Sequence, residues 1–154
     1  MLTTSHSLVG GVILKTIPDP RISLPLALFS HFVLDFIPHW DFITNLTRRG
    51  DPSTLAGNSQ RTRIVIFAAG DVLFGFGLTL WLFRDLNLPL LIFTIFLTQL
   101  PDWMEMPYFF WGIKLAPSVW VKKMQSRMHS RLRLPWGLVT QIALLIPLLW
   151  WTLT

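Results

Sequence analysis

Four potential metal ligands fall within eleven residues of this chain, in the run His31-Phe-Val-Leu-Asp35-Phe-Ile-Pro38-His39-Trp-Asp41. His31 and Asp35 are four apart, so on a helix they share one face and can grip one ion. Pro38 stops that helix, and the exiting chain can fold His39 and Asp41 back toward it. The other two histidines, His6 and His129, and the acids Asp71 and Asp102 are expected to complete or support the site. The chain has no cysteine, so ligation rests on nitrogen and oxygen. That donor set suits zinc best, with manganese or iron as alternatives, and the number of candidates allows one ion or two. An ion with an open position makes its bound water acidic enough to attack a phosphoryl or acyl centre. Asp102, Glu105 and Asp71 are the candidate acid–base groups.

The elements that must carry these residues are apolar. Of 154 residues 52% are hydrophobic and only 14% charged, with a mean hydropathy of +0.52. A soluble domain averages about a quarter charged residues, so the composition favours an integral membrane protein. Five apolar segments are expected, at about 7–17, 22–37, 64–83, 88–113 (broken at 101–102) and 134–153. The first is short, holds Gly10, Gly11 and Lys15, and reads as a tilted helix leaning on its neighbours; it lacks the basic leader and cleavage site of a removable signal. The fold expected is all-α and polytopic: one membrane domain over 1–154, with four to five membrane-embedded helices and one interfacial amphipathic helix.

Charge supplies the orientation. Arg48, Arg49, Arg61 and Arg63 lie in the loop 44–63, and Lys114, Lys122, Lys123, Arg127, Arg131 and Arg133 in the loop 114–133, leaving three of thirteen basic residues elsewhere. Alternating spans put both loops on one side, which the positive-inside rule makes cytoplasmic. The net charge of +5 is explained by this topology, without a nucleic-acid partner. Trp120, Met124, Met128 and Leu132 recur every four residues among lysines and arginines, the pattern of a helix lying on anionic lipid. The stretch 44–60, with Gly50, Pro52, Gly57 and Asn58, reads as a mobile cytoplasmic loop. With this orientation all four histidines and Asp35, Asp41, Asp71 and Asp102 fall near one membrane face.

A resemblance follows from these residues. His6-Ser-Leu-Val-Gly10, the run from His31 to Asp41, the intramembrane Asp71, Leu100-Pro101-Asp102 and His129 resemble the bacterial membrane-bound metal-dependent hydrolases, the group of the LexA-regulated inner-membrane hydrolase. Many members read Pro-Asp-x-Asp where this chain has Pro38-His39-Trp40-Asp41, so His39 is a departure. The His31–Asp35 pair is also similar to a ligand pair of zinc-dependent phospholipase C. The resemblance implies a hydrolase of the bacterial inner membrane. The expected substrate is a phosphate or acyl ester of a membrane lipid or lipid-linked molecule at the cytoplasmic leaflet, its phosphate held by Arg127, Arg131 or Arg133. The rival expectation is a non-enzymatic membrane protein: a metal-ion binding or conducting protein, or a helix scaffold. Against a conductor, the ligands cluster at one face and the chain shows no repeated halves.

Overall fold

A computed structural model describes residues 1–40, 57–111, 113–128, 130 and 132–154. Among these it contains six helices and no strand: α1 (Thr3–Thr16), α2 (Pro20–Phe36), α3 (Gly57–Leu82), α4 (Leu88–Trp111), α5 (Ala116–Met128) and α6 (Trp136–Leu153). Local chemistry sets several of the ends. α1 stops ahead of Pro18, because a residue before proline is pushed out of the helical region. Asp19 caps α2 by accepting from the Arg21 N–H at 2.9 Å, with Pro20 in the first turn, where its missing N–H does no harm. Asn87 does the same for α4, accepting from Leu90 N–H at 3.1 Å.

The first helix is the hub. Nine of the fourteen residues of α1 are buried, and α2, α3, α4 and α6 all pack on it. Thr4 lies against Gly75 and Gly11 against Phe83, so α1 and α3 run the same way. Gln141 meets Leu2 and Ser5 while Leu149 packs on the cluster that holds Val12 and Leu14, so α6 runs with them. α2 and α4 run oppositely: His6 stacks on His31, Ser7 bonds Gln99, and Gly10 abuts Thr98 and Thr94. The beginning of α1, the end of α2 and the beginning of α6 therefore lie at one end of the bundle. Toward the other end of α1 sits an apolar cluster of Val12, Leu14, Phe83, Leu91 and Ile95.

The amphipathicity of α2 is inverted. Its buried side carries Ser23, Ala27, Ser30, His31, Leu34 and Asp35. Its exposed side carries Ile22, Leu26, Phe29, Val33 and Phe36, spaced by threes and fours along one stripe. A water-facing helix has the opposite pattern.

Among the described residues two helices are long and apolar enough to cross a membrane, and this corrects the expectation of four to five embedded helices. They are α3, over Thr62–Leu82, and α6, over Trp136–Leu153, with only 17% and 11% of their apolar stretches buried. The core helix of a soluble protein would be mostly buried. The shortfall elsewhere has simple causes. Pro18 and Pro20 cut α1 and α2 to 14 and 17 residues, about 21 and 26 Å at 1.5 Å per residue, under the ~30 Å of a hydrocarbon core. α4 has the length, but Gln99, Asp102 and Glu105 dilute its apolar character.

The break expected at 101–102 is also absent, since α4 continues through Pro101 and Pro107. α5 forms within the expected basic stretch, but docks on α4 and α2 through Ser118, Val121 and Gln125 while Trp120 stays 63% exposed. Of the expected loop 44–60, residues 57–60 belong to α3 and the remainder lies outside the described residues.

Candidate metal centre

Asp35 is the meeting point of three imidazoles. His6 Nε2 lies 3.5 Å from its Oδ1, His31 Nε2 3.4 Å from its Oδ2, and His39 Nε2 3.9 Å from its Oδ1. Asp102 on α4 adds a second carboxylate, with Oδ1 3.5 Å from His31 Nε2. Donor atoms of His6, His31 and Asp102 all lie within 4.8 Å of one another, so this group could hold a metal ion. The spacing is informative. At 3.4–3.5 Å these contacts are longer than an ordinary N–H···O hydrogen bond. Ligands about 2.0–2.1 Å from a tetrahedral ion stand roughly 3.4 Å apart.

The backbone aims the rings. His31 Nδ1 is 2.7 Å from the Thr98 carbonyl and His39 Nδ1 is 2.6 Å from the Ile37 carbonyl. With Nδ1–H donating to a carbonyl, each ring turns Nε2 and its lone pair toward Asp35, the usual support for a ligating histidine. The Thr98 carbonyl belongs to the turn just ahead of Pro101, which brings no N–H to Leu97 and so loosens the hydrogen-bond ladder there. His39 is fixed by pairing of its segment: its N–H donates to Ser130 O at 3.2 Å, and its carbonyl accepts from Leu132 N–H at 2.8 Å.

Burial and charge divide the two stacked histidines, whose ring centroids are 4.2 Å apart. Burial, helped by the neighbouring His31, pushes His6 down to about 4, leaving the neutral imidazole that binds metals. Neither of its ring nitrogens makes a hydrogen bond among the described residues. Burial also opposes charge on His31, but the carboxylates of Asp102 and Asp35 prevail and raise it to about 10. Partial desolvation disfavours an ionised Asp102, yet the neighbouring His31 holds its carboxyl below the usual carboxylate range. The site thus attracts positive charge to His31 Nε2. The amino group of Met1 adds to this pattern, 2.8 Å from Asp35 Oδ1.

The other expected site residues are placed differently. Asp71 does not join the histidines through any of its recorded bonds. Its carboxylate accepts from the N–H groups of Thr3 and Thr4 and, at 2.6 Å, from Thr4 Oγ1, capping α1 from a neighbouring helix. Glu105 pairs with Lys122 at 2.7 Å, and that ammonium lies 4.9 Å from the centroid of the Tyr108 ring. Arg127 and Arg133 are exposed. Asp41, His129 and Arg131 lie outside the described residues.

One residue at the site escaped the sequence reading. Gln125 Nε2 on α5 is 3.0 Å from both His31 Nε2 and Asp102 Oδ1. Its signal lay in the polar spacing Ser118, Val121, Gln125, overshadowed by the Trp and Met repeat beside it. Gln141 on α6 is a second buried amide that links elements near the site. It accepts from Leu2 N–H and Ser5 Oγ and donates to the Trp40 carbonyl, tying the start of α1 to the segment after α2.

No family model, curated protein or solved structure matches this chain. Two imidazoles and a carboxylate are nevertheless a donor set used by catalytic zinc, which keeps a fourth position for water or substrate. Asp102, with its side chain 40% exposed, is the partly open side of a group whose imidazoles are wholly buried.

Proposed function

We propose that the protein is a membrane-embedded, metal-dependent hydrolase of the bacterial inner membrane, related to the family its motifs resemble. The 3.4–3.5 Å separations of three pairs, His6–Asp35, His31–Asp35 and His31–Asp102, carry this reading, because they suit ligands around one small ion better than hydrogen-bonded partners. Zinc is the favoured ion, with manganese or iron next. In its open position a metal would supply an acidic water for attack on an ester. The Thr98 carbonyl would keep the Nε2 atom of His31 aimed at the ion, and the Asp102 side is left open to solvent.

The substrate proposed is a phosphate or acyl ester of a lipid or lipid-linked molecule at the cytoplasmic leaflet. α3 and α6 support membrane residence, and the exposed Arg127 and Arg133 suit an anionic head group. The test has two parts. Elemental analysis of the purified protein should find about one equivalent of metal, lost on combined His31→Ala and Asp35→Ala substitution. Native lipids incubated with the protein should then be consumed in a chelator-sensitive way. Metal binding without lipid turnover would favour the second reading, a non-catalytic metal protein, to which the complete burial of both imidazoles lends weight.

A further inference from the structure

We propose that Gln125 belongs to the metal centre: with an ion bound, its amide is turned so that Oε1 faces the ion, and α5 is thereby clamped over the site. The inference rests on the metal-binding reading above.

Gln125 is 6% exposed, and its amide is used on one side only. Nε2 is placed between His31 Nε2 and Asp102 Oδ1, 3.0 Å from each, and donates to the carboxylate. Oε1 is buried and has no hydrogen-bond partner among the described residues. A buried acceptor left unsatisfied is costly and calls for an explanation. The amide nitrogen sits where two of the three grouped donors converge. An ion arriving there would meet N–H dipoles pointing the wrong way. Half a turn about the terminal torsion of Gln125, which is soft and roughly two-fold, exchanges oxygen for nitrogen without moving the helix. The carbonyl oxygen then faces the cation, directly or through its water, as a hard neutral donor.

The same residue links occupancy to the helix that covers the site. α5 is held on α4 and α2 through Ser118, Val121 and Gln125, and Gln125 is the member of that face that touches His31 and Asp102. An ion bound to its oxygen would tighten that seating.

The test is zinc affinity of the full chain in detergent, read by competition with a chromophoric chelator, for wild type, Gln125→Leu and Gln125→Glu. Gln125→Leu should weaken zinc about tenfold or more, and Gln125→Glu, which offers a charged oxygen at the same position, should restore or tighten it. Zinc should also slow amide exchange across 116–128 in wild type and in Gln125→Glu. If wild type binds zinc and Gln125→Leu binds it as well or better, the amide is a competitor of the ion and the proposal is overturned while the metal site stands. Should Gln125→Leu fail to fold, weaker zinc binding by a folded Gln125→Glu overturns it instead. Absence of binding in wild type, with zinc, manganese and iron(II) each tried, removes both readings together.

Discussion

The donor atom with most claims on it is His31 Nε2, which faces Asp35, Asp102 and Gln125 at 3.0–3.5 Å while Nδ1 is committed to Thr98. His31→Ala should therefore reduce metal affinity by more than the roughly 10–100-fold typical of losing an outer-shell partner, measurable by chelator competition. The same lone pair makes binding sensitive to pH. With the His31 pKa raised to about 10 by the two carboxylates, after burial has worked against it, the ring carries a proton at neutral pH that an ion must displace. Protonated His31 prevails below that value, so affinity should fall by about tenfold for each pH unit of acidification and recover on the alkaline side. Calorimetry near pH 8 in buffers of different ionisation enthalpy should show release of about one proton per ion. Release of none would mean that His31 keeps an ordinary pKa.

Helices decide which of the legible residues reach the site. The His31–Asp35 pair was readable because a four-residue spacing fixes a shared face whatever surrounds it. The fate of Asp71 was not, because its partners are N–H groups of a helix some seventy residues away, a relation no local pattern encodes. Its role has its own signature. Asp71→Ala should destabilise the fold by about 1–2 kcal/mol, the scale of a lost N-cap, and lower metal affinity only secondarily through misplacement of His6. A direct ligand would show the reverse, with metal lost and unfolding little changed. Close approach of the same two helices gives a second test. A Cβ at Gly75 would sit 2.6 Å from Thr4 Cα, so Gly75→Ala must push α1 from α3 and should cost about 1–3 kcal/mol in thermal or denaturant unfolding.

At the scale of the whole molecule, composition correctly marked an all-helical, apolar chain and overcounted its spans. The sequence showed the short first two segments with Pro18 and Pro20 between them, but could not say that α4 would run unbroken through Pro101 and Pro107. It also could not reveal that α2 turns its polar face inward, which depends on where α1 and α4 sit. The outward surface is strongly apolar, with Leu73, Trp81, Ile146 and Trp150 all above 60% exposed on the two candidate spans. Ile146→Asp, near the middle of α6, should cost about 2.5–3.5 kcal/mol of insertion and deplete the protein from the alkali-washed membrane fraction. Undiminished recovery there would argue that α6 does not cross.

The hub position of α1 sets an order of events in the cell. That helix leaves the ribosome before the helices that enclose it, since α3, α4 and α6, whose Gln141 holds Leu2 and Ser5, all follow it in the chain. Loops of that length close slowly, and the early helix must wait without its neighbours. Any metal capture then waits for these later helices, and chains halted before Trp136 should bind zinc more weakly than the full chain in chelator competition. Loading of an ion would then report that α6 has docked on α1, because Gln141 holds the first residues of the helix that carries His6.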